Sequence, residues 1–383
     1  MKILLLTDGI TPFVKGGMQR HSQLLVEHLA LVGHEIVLFH YSEPSVAGNI
    51  EEAFSVKALP QIRSFHFKYR DESRLPGHYL RAQKKISAMY LEKIVFMNEE
   101  YDFVYSKGFS GLALLQSRNK LNFKSPIGVK FHGMNMFQPQ ANLKMEIQKF
   151  YFQGITNKIL KSADFVFSYG GKISEIIRKQ CDINVLEIPA GINPDWIKTS
   201  INPSTGKLKF LFIGRYDRVK GLPELNQAIK QLETVNENWE FHFVGPIPIG
   251  KRLKLACCIY HGEIYQKEDL VNVIDNCDVV VCTSISEGMP NVILEGMARG
   301  LAVLATDVGA CSLLVKQNGV LIPNCNSELI FKALLIFAKA SGADINAMKA
   351  KSLEQIQGFE WPQIAVKTTK VLEIAISSYQ HPG

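Results

Sequence analysis

Short apolar runs alternate with helical stretches along this chain, in two separate series. KILLLT (2–7), EIVLFHY (35–41), FVYSK (103–107), IGVKFHG (127–133) and DFVFSYG (164–170) make up the first. LKFLFIGR (208–215), WEFHFVG (239–245), DVVVCTS (278–284) and LAVLAT (301–306) make up the second. Such runs, short and rich in β-branched residues, predict strands buried on both faces, and therefore parallel sheets covered by helices. The helical stretches fit between them. MQRHSQLLVEHLALVG (18–33) is apolar at 24, 25, 29 and 32 and stops on Gly33, while LPELNQAIKQLE (222–233) and PNVILEGMARG (290–300) fall in the second series. INPDWIKTSINPSTGK (192–207), rich in Pro, Asn and Ser, reads as the linker. The predicted fold class is α/β, with two doubly wound Rossmann-like domains facing each other. Ligands of such sheets bind at the carboxyl ends of the strands, so a facing pair creates a cleft.

Composition narrows the function. A length of 383 residues accommodates two domains. No apolar run approaches the roughly 18–20 residues of a membrane span. MKILLLTDGITPF reaches Asp8 at once, without a small-residue cleavage site, and reads as a first buried strand rather than a signal peptide. A cytoplasmic protein is expected. The seven cysteines form no C-x-x-C and no zinc-spaced cluster with histidine, so reduced, packed thiols are expected and no metal or redox centre.

The net charge of +7 is uneven. Residues 1–190 carry 24 Lys and Arg against 17 Asp and Glu, and the remainder has 19 of each. Within the first half, residues 57–85 hold eight Lys and Arg against two acids, interleaved with Phe65, Phe67, Tyr69 and Tyr79. This segment reads either as a solvated basic loop or as a contact for an anionic membrane or a phosphorylated acceptor. No nucleic-acid-binding module is recognisable.

Residues able to do chemistry recur just after strands. In TDGITPFVKGGMQRH (7–21), Gly16 and Gly17 lead into a helix whose first amides suit an anion. Neither G-x-G-x-x-G nor G-x-x-x-x-G-K-[ST] follows the first strand, which counts against dinucleotide-binding and P-loop sites. His132 closes an apolar strand before Gly133. Arg215 leaves another, with Lys220 and Gly221 following, and this cationic pair suits a diphosphate. In SEGMPNVILEGMARG (286–300), Glu287 precedes a helix expected to start at Pro290, and Glu295 lies among apolar neighbours within it. A lone carboxylate there requires a donor, such as a pair of sugar hydroxyls.

Together, GGMQRH (16–21), FHG (131–133), GRYDRVKG (214–221), HGEI (261–264), SEGMPNVILEGMARGLAVLATDVGA (286–310) and FEWPQIA (359–365) resemble the retaining glycosyltransferases of family 4, with the GT-B architecture (glycosyl transferases group 1). The resemblance spans nearly the whole chain. It implies an acceptor-binding domain at 1–195, completed by a final helix at about 360–383, and a donor-binding domain at 205–359. It also implies catalytic roles for His132, Arg215, Lys220 and Glu287. Donor contacts would come from Gly16, Gly17, Arg215, Lys220, Gly262, Glu263, Ile264, Glu287, Gly288, Met289, Pro290 and Glu295. Arg215 and Lys220 would hold the diphosphate, Glu287 the sugar, Glu295 the ribose and the Gly262–Ile264 backbone the base. Three positions depart from the family pattern: Gln19 replaces a Glu, Ala310 replaces the second glycine of a pair, and Leu314 replaces an acid.

The activity implied is transfer of a sugar from a UDP- or GDP-sugar to a glycan or lipid-linked acceptor, with retention and an α-glycosidic product. Bacterial cell-surface polysaccharide or glycolipid biosynthesis is the implied setting, with no metal, no cofactor and no nucleic-acid partner. Peripheral contact with the inner face of the cell membrane through 57–85 is an open alternative to a wholly soluble state. Two rival readings remain at this stage: a GT-B-like sugar-nucleotide epimerase and a catalytically silent subunit that binds nucleotide sugars.

Overall fold

The computed structural model describes residues 1–70, 77–140, 143–235 and 238–381, without the side chains of residues 143–145 and 148. Its first sheet orders seven described strands as β3-β2-β1-β4-β5-β6-β7. These are β1 (Lys2–Leu6), β2 (Glu35–Ser42), β3 (Ile62–Lys68), β4 (Phe103–Lys107), β5 (Ile127–Lys130), β6 (Phe165–Ser168) and β7 (Val185–Glu187). The second sheet is ordered β10-β9-β8-β11-β12-β13. It comprises β8 (Leu208–Ile213), β9 (Trp239–Val244), β10 (Cys258–Gly262), β11 (Val279–Cys282), β12 (Ala302–Thr306) and β13 (Gly319–Ile322). All pairings within both sheets are parallel.

Helices cover both faces. Around the first sheet lie α1 (Gly17–Leu31), α2 (His78–Met97), α3 (Leu112–Ser117), α4 (Leu143–Ser162) and α5 (Lys172–Arg178). Around the second lie α6 (Leu222–Glu233), α7 (Lys267–Asp275), α8 (Asn291–Ala298), α9 (Cys311–Leu314), α10 (Ser327–Lys339) and α11 (Gly342–Ile356), and α12 (Trp361–Gln380) follows. Alternation along the strands explains why two layers are needed. Leu4 and Leu6 of β1 enter one core and Ile3 and Leu5 the other, and Val280 and Val281 of β11 divide in the same way.

The basic stretch at 57–85, read either as a solvated loop or as a contact for an anionic membrane or a phosphorylated acceptor, is partly regular structure. Residues 62–68 form β3, the edge strand beside β2, and α2 begins at His78. Residues 71–76 of that segment lie outside the described residues. Phe65 and Phe67 turn inward against Phe39, and Phe67 also meets Tyr90. Arg63 is tied to Glu99.

Each sheet changes direction once beside its first strand, at β1/β4 and at β8/β11. At such switch points the outgoing loops diverge and leave a crevice. The chain crosses between the domains twice, side by side. The Ile192 amide donates to the Phe359 carbonyl (2.8 Å) and the Trp361 amide to the Ile192 carbonyl (3.0 Å). Beyond the second crossing, α12 returns to the first domain, placing Trp361, Ile364, Leu372 and Ala375 in the core beside Ile3 and Phe103.

Candidate functional site

The loop after β8 runs from Gly214 to Gly221. Asp217 accepts the Val219 amide (3.0 Å) and so shapes a turn that ends on Lys220. Gly221 has φ +67°, and a Cβ there would meet the Thr283 carbonyl oxygen at 2.0 Å. Only glycine lets this loop press against the one after β11. Across that contact, Lys220 Nζ donates to Glu287 Oε1 at 2.6 Å, and Ser284 Oγ donates to the same oxygen at 2.7 Å. Burial works against the Lys220 charge, but the Glu287 carboxylate outweighs it and the ammonium pKa is raised. Arg215 stands at the mouth, its side chain 76% exposed and 3.9 Å from Asp217.

The first domain supplies the opposite wall. A Cβ on Gly17 would come within 3.5 Å of Asn291 Nδ2, so the N-termini of α1 and α8 approach each other across the cleft. Both ends favour negative charge between them. The helix after Glu287 starts at Asn291 rather than at the expected Pro290, which is its N-cap. His132 is half-buried, with Nδ1 2.6 Å from the Tyr169 hydroxyl and Nε2 enclosed without a partner among the described residues. Burial, then the nearby Lys107 and Lys130, hold its pKa well below the usual histidine range. His132 is therefore a neutral imidazole with one free nitrogen.

The domains are closed on each other. A Cβ on Gly288 would meet the His132 carbonyl oxygen at 2.0 Å. Gln138 Nε2 donates to the Glu287 carbonyl (2.7 Å) and the Lys172 amide to the Gly309 carbonyl (2.9 Å). Between the domains lies a cleft of about 630 Å³, lined by Gly16, Gly17, His132, Arg215, Lys220, Glu287, Gly288, Met289 and Pro290 among others.

Four expected residues do not line it. Gly262 ends β10 with φ +72°, Glu263 accepts from the Tyr265 hydroxyl (2.8 Å), and Ile264 packs against the core. This segment still faces the cleft mouth, because Lys15 Nζ lies 5.8 Å from the Tyr265 ring. Glu295 occupies a narrow pocket of about 20 Å³ with Arg20, His21, Asn291 and Trp361. Burial pushes its carboxyl up to about 7, with Arg20 Nη1 at 3.8 Å acting in the other direction.

A second cavity, about 310 Å³, was missed by the sequence reading. It opens beside the cleft and shares Met18, His132, Gly133 and Asn135 with it. Phe109, Phe131, Phe152, Met134 and Met136 make its walls mostly apolar, and Asp8 and Lys107 form a polar end. Lys107 Nζ donates to Ser22 Oγ (2.6 Å) and lies 3.1 Å from His21 Nδ1. Burial brings its pKa down to about 7 despite Asp8. The signal was available: Lys107 ends a strand and precedes a glycine, as His132 does. Of the departing positions, Gln19 donates to Asp8 Oδ2 (3.3 Å), while Ala310 and Leu314 lie in the second domain's core.

Known structures share this arrangement over its whole length. Sucrose-phosphate synthase from Thermosynechococcus elongatus superposes with a TM-score of 0.77 at 19% identity, covering 98% of this chain and 99% of that one. The fold is GT-B. A second GT-B structure, the E. coli trehalose-6-phosphate protein bound with UDP-2-fluoro glucose, has a TM-score of 0.71 at 14% identity, over 97% and 99% of the two chains. Residues 207–339 match the family model described as Glycosyl transferases group 1. Among curated sequences, this chain is 24% identical over 358 residues to TuaC of Bacillus subtilis (strain 168), a candidate teichuronic acid biosynthesis glycosyltransferase, covering 87% of this chain and 88% of TuaC. It is 27% identical over 164 residues to the E. coli O-antigen biosynthesis glycosyltransferase WbnH, covering 39% and 44%.

Proposed function

We propose that this chain is a retaining glycosyltransferase that moves a sugar from a nucleotide-diphosphate sugar to a glycan or lipid-linked acceptor, in cell-surface polysaccharide or glycolipid synthesis. One observation carries the reading: Lys220 and Glu287 are paired at the carboxyl edge of the second sheet, facing His132 and the α1 N-terminus across a closed cleft. The similarity to cell-surface polysaccharide glycosyltransferases supports the setting.

In this proposal Arg215, Lys220 and the facing helix ends hold the diphosphate. As the C1–O bond to phosphate breaks, negative charge grows on the leaving oxygen, and these fixed donors stabilise it without reorganising. That role needs no metal. The acceptor oxygen attacks C1 from the same face, and its proton passes to the leaving phosphate oxygen. The product is an α-glycoside. Glu287 binds a sugar hydroxyl and keeps Lys220 charged. Glu295, with Arg20, takes the ribose hydroxyls, and the Gly262–Ile264 backbone meets the base.

Calorimetry with UDP-, GDP- and ADP-sugars in EDTA tests the proposal on wild type and Glu295→Ala. Binding of one nucleotide class, weakened by the substitution, supports it. Wild-type protein that binds none of them would overturn it.

A further inference from the structure

The helix α4 presents two unlike faces. At 100° per residue, Ile147, Phe150, Tyr151, Gly154, Lys158 and Lys161 fall on one side, and all six are exposed. The first three are large apolar side chains at 58, 67 and 73% exposure. On the opposite side Thr156, Ile159 and Leu160 are buried, while Lys149 and Phe152 line the apolar-walled cavity beside the cleft. Lys149 also neutralises Glu146 at 2.7 Å. Phe152 meets Tyr79 at the start of α2 (ring centroids 6.1 Å), and the next turn of α2 exposes Lys84 and Lys85.

We propose that α4 docks this chain on an anionic bilayer, with Ile147, Phe150 and Tyr151 entering the headgroup boundary, and that the cavity behind it takes an amphiphilic acceptor drawn from that bilayer. Large apolar side chains on one helical face with lysines flanking them are the chemistry of an interfacial helix. The charge agrees, because the whole excess of +7 lies in residues 1–190 and the stripe runs into Lys158 and Lys161. A second copy of the chain fits less well. Three side chains at this exposure offer on the order of 350 Å², well short of the roughly 800 Å² per partner of a stable interface, and two such basic halves repel. The cavity supplies the link to chemistry. Its aromatic and methionine walls suit an apolar chain, and its polar end at Asp8, Lys107 and His132 borders the cleft where a hydroxyl would react. The acceptor assignment rests on the transferase reading, whereas the docking does not.

The test uses the full chain and vesicles of phosphatidylglycerol with phosphatidylcholine, against phosphatidylcholine alone, in sedimentation at low and high salt. The triple substitution Ile147→Ser, Phe150→Ser and Tyr151→Ser should lower partitioning onto the anionic vesicles at least tenfold. In a separate variant, Phe150→Trp, emission should shift to the blue on vesicle addition. Equal partitioning of wild type and triple variant, or unchanged Trp emission, overturns the docking. So does a wild-type dimer that the triple variant dissociates. Octyl glucoside below its micellar concentration should bind at least tenfold tighter than methyl glucoside, and equal binding overturns the amphiphilic acceptor. Calorimetry with nucleotide sugars on the same proteins separates the two readings. Docking without nucleotide binding sinks the transferase and leaves the docking; the reverse result sinks the docking alone.

Discussion

Lys220 and Glu287 are joined by a 2.6 Å ion pair that bridges the loops leaving β8 and β11, the two strands at the switch point of the second sheet. The pair is mostly buried, and the Glu287 carboxylate favours the charged form of Lys220 at the cleft floor.

Substituting Lys220→Met should therefore lower kcat/KM for the sugar nucleotide by about 10²–10³, the range for losing a fixed donor to developing charge. Glu287→Gln should have a comparable effect, since it also removes the carboxylate that raises the Lys220 pKa. Steady-state kinetics on the two variants check this, and a change below threefold in both would refute it.

Closure depends on the absence of a side chain at Gly288. In Gly288→Ala the new methyl would approach the His132 carbonyl at 2.0 Å, backbone against side chain, with no flexible atom to give way. The expected outcome is two folded domains that no longer close. Small-angle scattering should give a larger radius of gyration than wild type, and transfer should fall by about two orders of magnitude, as misplaced reacting groups generally do.

Glu295 links stability to pH. Its folded carboxyl is raised to about 7 from the ordinary 4.5, so the folded state binds the extra proton between those values. Stability then falls as pH rises from about 4.5 to about 7, by a ceiling on the order of 3 kcal/mol. Glu295→Gln removes this dependence. Thermal melts of the ligand-free protein at pH 8 should show the variant several degrees more stable than wild type, with the difference vanishing near pH 5. Nucleotide affinity should weaken in the same variant, trading function for stability.

Gln19→Glu tests why an amide stands beside Asp8. The Gln19 amide donates to Asp8 Oδ2, and burial already raises the Asp8 pKa. A second carboxylate there could ionise only against its neighbour. The melting temperature should drop by about 2–4 °C at pH 8, for a loss of about 1 kcal/mol, and recover at pH 5.5 where the pair holds a proton. An equal drop at both pH values would contradict this.

Legibility in the sequence followed burial and locality. The central strands could be read because both their faces are covered, as Ile3, Leu4, Leu5 and Leu6 illustrate. The edge strands β3 and β10 could not. Each has a neighbour on one side only, and IRSFHFK mixes charge with aromatics as a loop would. Strand-end residues such as Arg215, Lys220, His132 and Glu287 were recognisable from a following glycine or helix. Their partners were not, because these come from far along the chain. Glu295 meets Arg20, and Lys107 is enclosed by His21 and Ser22 of α1. No local pattern announces such meetings, and the apolar stripe of α4 was hidden in the same way until its other face was seen to be buried.

The return of α12 has a consequence for the newborn chain. Domains commonly fold in the order in which they leave the ribosome. Here the first domain emerges first, yet its core lacks Trp361, Ile364, Leu372 and Ala375 until the last helix is made. The second domain draws its sheet and its covering helices from residues 208–356 and has all of them earlier. A chain arrested just before Trp361 would hold a finished second domain beside an unfinished first one.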